Sequence, residues 1–442
     1  METIVIIVFL AGYLAITLEH NLKIDKLIPA LAMMAVLWAL IALTHMDVFE
    51  VNAQLKQLEP THIDEILLHH LGKTAEILVF LLGAMTIVEI IDYFDGFATI
   101  KGYIKTRSKR KLLWIFSILA FILSAIIDNL TATIVLITIL QKVIKDRETR
   151  LFFAGLIIIN ANAGGAWSPI GDVTTTMLWI AGKVEAGSLV TRVLLPSIFC
   201  TIVPTLIASR FKVFSGEIDE VPESGGSASK YGPIMLYLGL GSIVFVPFFK
   251  TITHLPPYVG MMLSLAFVAT FAEIYSNAKF SISSAIDDGH AESSHHSPVH
   301  SALTRIELPS ILFFLGILLA VAALESLGLL FNYAESLNEA IPQTDIVVML
   351  LGIGSAVIDN VPLVAASIGM FSQGPDDALW HFIAYSAGTG GSMLIIGSAA
   401  GVVAMGMEKI DFFWYLKKIA WLAFAGFIAG AIVFILMRDF LF

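Results

Sequence analysis

The chain has 442 residues, of which 57% are hydrophobic and only 14% charged; this excludes an ordinary soluble domain. Long apolar stretches recur between short polar loops, and the mean hydropathy is +0.85, so the sequence predicts an all-α polytopic membrane protein embedded in a lipid bilayer. The net charge of −10 does not determine orientation, because orientation follows local lysine and arginine counts. The single cysteine excludes an internal disulfide framework.

Ten apolar segments predict spanning helices, five in each half of the chain. They lie near 2–19, 27–45, 75–97, 151–180 and 190–208, and near 231–249, 257–276, 306–330, 381–407 and 419–437. The first has no basic flank or small-residue cleavage site, so we interpret it as a retained helix. The stretch 45–73 is predicted to be an interfacial helix on the outer surface.

Two further apolar segments each carry an aspartate near the centre. Asp128 is the only charge in 112–140, which has basic flanks on both sides. If both flanks face the cytoplasm, this segment is a re-entrant hairpin with Asp128 at its tip. The segment 346–371, centred on Asp359 and flanked by acidic residues, is then a hairpin that enters from the opposite face. In the alternative, each segment is one ordinary helix, and one basic cluster lies outside.

The two hairpins share the phrases SAIIDN and SAVIDN, which indicates two inverted repeats, 1–210 and 231–442. A cytoplasmic linker at 211–230 joins them, and five spans per half place both termini outside. The polar cytoplasmic loop 277–305 contains His290, His295, His296 and His300. A pH sensor there is conceivable, but the Ser-rich composition favours a plain linker.

Each hairpin is followed by a polar, glycine-rich phrase, NANAGGAWSPIGDVTTT at 160–176 and SAGTGGSMLIIGS at 386–398. We expect these phrases to interrupt the helices 151–180 and 381–407, exposing carbonyl oxygens and helix ends. Small residues in membrane helices ordinarily serve close packing. Packing does not explain the density of amide, carboxylate and hydroxyl groups in the first phrase.

The phrases SAIIDNLT and SAVIDNVP, each followed by a glycine-broken helix (NAGGAWSPIGDVTT in the first half), resemble the NhaD-type sodium/proton antiporters of the ion transporter superfamily. The similarity extends over nearly the whole chain. It implies two inverted repeats, a homodimer with a scaffold and a moving transport part, and elevator-like alternating access. It also implies an inner (cytoplasmic) membrane location.

Carboxylates at membrane depth favour a cation, and the candidate site offers only oxygen ligands, which suit the hard ions Na⁺ and Li⁺. We expect Asp128 and Asp359 to exchange H⁺ for the cation, with Na⁺ bound near Asp128, Asp359 and Asp172. The predicted ligands with amide, carboxylate or hydroxyl groups are Asn129, Asn160, Asn162, Asp172, Thr174, Thr175, Ser355, Asn360, Ser386, Thr389 and Ser392. Glu89, Asp92 and Glu325 form either a proton route or a set of solvated residues near helix ends.

Two alternatives remain at this point. A sodium-coupled dicarboxylate, citrate or arsenite carrier of the same superfamily would also bind sodium near the hairpin tips. A membrane aspartyl protease would use two aspartates as an acid and base pair, but it requires a G-x-G-D phrase, whereas Gly354 is followed by Ser355. The sequence thus predicts a transporter rather than an enzyme, with no cofactor motif and no nucleic-acid-binding patch.

Overall fold

The computed structural model describes residues 1–17, 22–52, 57–101, 106–218, 231–284, 297–330, 332, 341, 343–357 and 360–441. Asp359 lies outside the described residues, as do His290, His295 and His296. Within the described ranges the fold is helical apart from one two-stranded β hairpin.

The described residues of the first half form nine α-helices and both strands, followed by a short 3₁₀ helix at Lys212–Phe214. They are α1 (Glu2–Thr17), α2 (Leu27–Leu43), β1 (Val48–Asn52), β2 (Gln57–Thr61), α3 (Ile63–Tyr93), α4 (Ala98–Lys101), α5 (Lys109–Ile127), α6 (Asn129–Val143), α7 (Arg147–Gly165), α8 (Val173–Ile180) and α9 (Ala186–Ala208).

The described part of the second half is entirely helical apart from its loops. Its elements are α10 (Gly232–Thr253), α11 (Pro257–Ser284), α12 (Pro298–Arg305), α13 (Leu308–Ser326), α14 (Thr344–Gly354), α15 (Asn360–Met370), α16 (Ala378–Gly390), α17 (Ala399–Glu408), α18 (Phe412–Lys418) and α19 (Ala420–Leu441).

Seven of the described helices are long and apolar enough to cross a membrane, namely α3, α5, α9, α10, α11, α13 and α19. Shorter apolar helices, including α1 and α2, accompany them. The prediction of a multi-pass helical membrane protein is confirmed.

The region before α3 differs from the prediction. Residues 48–52 and 57–61 pair as two antiparallel strands, with Val48 opposite Thr61 and Glu50 opposite Glu59, so the interfacial helix predicted over 45–73 is wrong. Helix α3 begins at Ile63 and has 31 residues, a length of about 46 Å that exceeds the bilayer core. Hydropathy alone located only the apolar portion of this helix, because its first turns contain polar residues.

The polar loop predicted at 277–305 is helical at both described ends. Helix α11 continues to Ser284, and α12 begins after Ser297. The Ser297 hydroxyl accepts a hydrogen bond of 3.3 Å from the His300 amide, which satisfies one of the free N–H groups at the start of α12.

The chain is interrupted at each of the segments singled out by sequence. Helices α5 and α6 meet at Asp128, whose φ of +75° breaks the helical path, and the two helices pack against each other. Helices α7 and α8 are separated by the irregular residues 166–172, and α16 and α17 by 391–398. These interruptions bring helix ends and free carbonyl groups into the buried interior.

Matching glycines allow close backbone packing in both halves. A Cβ atom on Gly164 would overlap the carbonyl oxygen of Phe121, and a Cβ on Gly390 would overlap that of Gly352. In each half, a serine makes a second contact between the same two segments. The Ser124 hydroxyl donates to Ala161 O at 2.6 Å, and the Ser355 hydroxyl shares its hydrogen between Gly352 O at 2.7 Å and Ala387 O at 3.2 Å. Helix α7 is therefore fixed on α5, and α16 on α14, in the same manner.

Candidate cation-binding site

A buried carboxylate lies where the two halves meet. Asp172 is only 4% exposed. Its Oδ1 accepts a hydrogen bond of 3.0 Å from Asn129 Nδ2, and its Oδ2 accepts one of 3.3 Å from Asn360 Nδ2. The Thr174 hydroxyl also donates to Oδ2. These three donors are neutral side chains that orient the carboxylate.

Asn162 on α7 extends this network to the second half. Its Oδ1 accepts from Asn129 Nδ2 at 3.2 Å, and its Nδ2 donates to Ile158 O at 2.8 Å. The same amide nitrogen lies 3.1 Å from the Ser398 hydroxyl oxygen, to which it donates. We call the six residues Asn129, Asn162, Asp172, Thr174, Asn360 and Ser398 the Asp172 cluster.

Asp172 and Ser398 occupy equivalent places in the two interrupted helices. Asp172 precedes α8 with φ and ψ of −152° and 148°, and Ser398 precedes α17 with −148° and 154°. Helix N-termini carry partial positive charge, so both favour a negative group at the cluster. Ser398 accepts from its own helix, at Gly401 N, whereas the Asp172 side chain makes no such cap and is available to the cluster.

Ser398 is a site residue that the sequence prediction missed. Aligning Gly165 with Gly391 and Gly171 with Gly397 places it opposite Asp172. The two glycine pairs also make the same contact, since a Cβ on Gly165 or Gly391 would meet the carbonyl oxygen of Gly171 or Gly397. The repeated spacing therefore contained the signal needed to find Ser398.

Asp128 is half-buried and caps its own helix. Its Oδ1 accepts from the Thr131 amide at 2.8 Å, and its Oδ2 accepts from the Thr131 hydroxyl at 3.0 Å. The residue that follows it, Asn129, belongs to the Asp172 cluster. A change in the ionisation of Asp128 would therefore act on the first turn of the helix that holds Asn129.

Asn160 is directed away from the cluster. It is two residues from Asn162 on α7, which places the two side chains about 200° apart around the helix. Its Nδ2 donates to the Thr205 hydroxyl at 3.4 Å, and Thr205 donates to Ser117 at 3.3 Å. Ser386 is at the equivalent position on α16, with a buried hydroxyl that has no hydrogen-bond partner among the described residues.

The other predicted hydroxyl ligands donate to backbone carbonyl groups of their own segments. The pairs are Thr175 with Asp172 O (3.0 Å), Ser355 with Gly352 O (2.7 Å), Thr389 with Tyr385 O (2.6 Å) and Ser392 with Thr389 O (2.7 Å). These bonds stabilise the interrupted helices, and the hydroxyl oxygens retain lone pairs.

The three acids of the conceivable proton route lie in different surroundings. Glu89 on α3 is half-buried. Asp92 is exposed and pairs with Arg305 at 4.0 Å, a distance and exposure at which an ion pair contributes little. Glu325 on α13 is half-buried and lies against α15, because a Cβ on Gly369 would be 3.1 Å from its carboxyl carbon.

The Asp172 cluster thus combines one carboxylate, amide oxygens, hydroxyl oxygens and interrupted backbone. Hard cations prefer such oxygen ligands. A buried carboxylate is stabilised either by a proton or by a positive ion, so the cluster can bind the two in competition.

Comparison with known proteins finds relatives that are named as transporters and antiporters. Residues 4–381 match the family described as citrate transporter (CitMHS). Sodium/proton antiporter 1 of Arabidopsis thaliana is 40% identical over 98% of this chain and 72% of its own length. Sodium/proton antiporter 2 of the same plant is 38% identical over 98% of this chain and 99% of its own length.

A bacterial relative, the Na(+)/H(+) antiporter NhaD of Vibrio cholerae, is 33% identical over 93% of this chain and 87% of its own length. Among solved structures, the YdaH transporter of Alcanivorax borkumensis matches with a TM-score of 0.53 over 94% of this chain and 97% of that one. At 12% identity it supports the fold alone. These relatives are named as transporters and antiporters rather than as enzymes. The identities of 40%, 38% and 33% to the three named antiporters, over 93% or more of this chain, show that it belongs to the family of NhaD-type sodium/proton antiporters.

Proposed function

We propose that this protein exchanges Na⁺, and also Li⁺, for H⁺ across the membrane by alternating access. The observation that carries the proposal is the buried Asp172 carboxylate, which is held by neutral donors from both halves of the chain. Burial raises the free-energy cost of the charged form of a carboxylate, and a bound proton or cation lowers that cost. The carboxylate is therefore stabilised by either ion, and competition between them couples their transport.

Within this proposal, Asp172 holds the cation, while Asp128 and Asp359 remain the candidate exchanging acids. The observation that supports a role for Asp128 in exchange is the N-terminal cap that its carboxylate forms on α6. Protonation would weaken this cap and change the position of Asn129. Such a step would link proton binding at Asp128 to cation release at Asp172.

The proposed architecture has two inverted repeats, 1–210 and 231–442, connected by the linker 211–230, with hairpins at 112–140 and 346–371. The repeated glycine and serine contacts support the repeat. We further propose an inner membrane location, termini on the outer side and a homodimer.

The test is a dye-dequenching assay in proteoliposomes with an imposed pH gradient, using wild type, Asp172→Asn, Asp128→Asn and Asp359→Asn. Dequenching on addition of NaCl or LiCl, but not KCl, is expected for wild type and should be lost in all three variants. Wild-type activity in Asp172→Asn would contradict the proposed site. A matched control, Asp439→Asn, alters an exposed surface pair with Arg438 and should exchange like wild type.

A citrate carrier is a second candidate, because the matching family is described by that substrate. Sodium-driven uptake of labelled citrate, in vesicles that show no Na⁺-dependent proton movement, would favour it. Asp172→Asn does not separate the two candidates, because a sodium-coupled citrate carrier would also bind Na⁺ at this site.

A further inference from the structure

Helix α17 is held at both of its ends by the first half of the chain. At its beginning, the Ser398 hydroxyl accepts from Asn162. At its end, Glu408 pairs with Arg150, whose Nε lies 3.2 Å and 3.1 Å from the two carboxylate oxygens. Along its length α17 packs on α6 and α7. The helix is therefore fixed against the first half rather than only by its own repeat.

The ion pair at the end of α17 is buried and well connected. The Glu408 side chain is 2% exposed and that of Arg150 is 20% exposed. Arg150 Nη1 also donates to Lys145 O at 2.8 Å and to Ile144 O at 3.2 Å. A buried pair of this kind is strongly unfavourable to break, because one charge remains without its partner.

Neighbouring groups reinforce the same end. Arg147 Nη2 donates to Lys409 O at 3.1 Å, and Gln141 Nε2 donates to Met407 O at 3.4 Å. Both bonds run from the adjoining ends of α6 and α7 to the last turn of α17 and the residue that follows it. Positive side chains at a helix C-terminus also interact favourably with its dipole.

The equivalent contact in the other half is built differently. Helix α8 is followed by Lys183, whose carbonyl oxygen accepts a hydrogen bond of 2.8 Å from the backbone amide of Asp376. Asp376 is at the position equivalent to Arg150, by the same alignment that pairs Ser398 with Asp172. Asp376 thus anchors the end of α8 through its backbone amide and through its carboxylate, which accepts from Glu185 N at 3.1 Å, whereas an ion pair anchors the end of α17.

We propose that Glu408 and Arg150 are positioning residues for the cation site. Their ion pair fixes α17 along its axis, and this sets the distance between Ser398 Oγ and Asn162. The ten residues of α17 span about 15 Å, so neither charge reaches the bound ion. The inference rests on the proposed function, since it assigns the pair a role at the same Asp172 cluster.

The test is a double-mutant cycle of Glu408→Gln and Ser398→Ala, read as the apparent KM and the maximal rate for Na⁺ in proteoliposomes. Each single variant should raise KM by about three- to tenfold. The double variant should be no worse than the more impaired single variant, because loss of the Glu408–Arg150 pair acts through the Ser398–Asn162 contact, which Ser398→Ala already removes. Asp439→Asn, in the exposed pair with Arg438, should leave KM unchanged.

Independent effects that multiply in KM would overturn the proposal, as would an unchanged KM in Glu408→Gln. If Glu408→Gln fails to fold, Arg150→Lys replaces it in the cycle, because lysine keeps the charge but loses the fixed guanidinium geometry. The rise in melting temperature of wild type on adding NaCl measures binding without transport. A wild type with neither exchange nor this rise indicates failure of the proposed function, whereas an additive cycle in an active protein refutes only the positioning role.

Discussion

Asn162 donates a hydrogen bond of 3.1 Å to Ser398, a residue 236 positions away. Asn162 is also connected to Asp172, because Asn129 donates a hydrogen bond to each of them. The candidate cation site is therefore assembled from both halves of the chain, and either half by itself would lack part of it.

The two asparagines of α7 should differ sharply when replaced. Asn162→Ala removes an oxygen and two cross-helix hydrogen bonds from the Asp172 cluster. We expect the apparent KM for Na⁺ to rise by about tenfold, corresponding to about 1.4 kcal/mol. Asn160→Ala is the matched control, since its side chain contacts Thr205, and its KM should stay within about twofold of wild type. Equal effects of the two variants would contradict the placement of the site.

Asp128 can be tested by separating its two roles. Asparagine caps a helix about as well as aspartate, whereas alanine does not. If Asp128 exchanges protons, Asp128→Asn keeps the thermal stability but loses exchange. Asp128→Ala should lose exchange and also about 0.5–2 kcal/mol of stability. Melting temperature and dye dequenching on the same samples distinguish these results, and an active Asp128→Asn would leave the residue with capping alone.

The glycine contacts predict strong steric effects. Gly164→Ala and Gly390→Ala each place a methyl group against a carbonyl oxygen of a packed helix. Overpacking of this kind costs about 1–3 kcal/mol or more, and we expect a clear loss of melting temperature and of purified yield. Gly406→Ala, also in a helix, has open space around the added methyl group. It should be neutral or slightly stabilising, and a loss of stability as large as that of Gly164→Ala would contradict the steric explanation.

The start of α7 predicts a defined pH dependence. Hydrogen bonds from the hydroxyl and the amide of Thr149 hold the pKa of Asp146 below its usual range. A lowered carboxyl pKa means that the stabilisation is complete above the unfolded value of about 3.9 and is lost as the pH falls through the folded value.

Asp146→Ala should therefore lower the melting temperature by about 2 °C, equally at pH 5 and pH 9. Its difference from wild type should shrink only in buffers below pH 4. Asp146→Asn retains a capping oxygen and is the control. A difference that changes between pH 6 and pH 8 would show that another titrating group is responsible.

Most residues of the candidate site could be predicted from the sequence, but not which of them lie on the same helix face. Asp172, Asn162 and Thr174 could be identified because polar groups at membrane depth are costly without a role. Composition could not distinguish Asn160 from Asn162, since that distinction depends on helix face. Ser398 was missed because a single serine is common in membrane helices, and only its alignment with Asp172 marks it. The first turns of α3 and the β hairpin carry polar residues, so hydropathy did not indicate their structure.

The glycine contacts also have a mechanical consequence. At Gly164 and Gly390, main chain rests directly on main chain, with no side chain between them. Helices ordinarily accommodate sliding by readjusting side-chain rotamers, and this compliance is missing here. Helices α7 and α5 should therefore move together as one stiff body, and so should α16 and α14. Opening the site to one side or the other would then require displacement of that whole body rather than bending of a single tip.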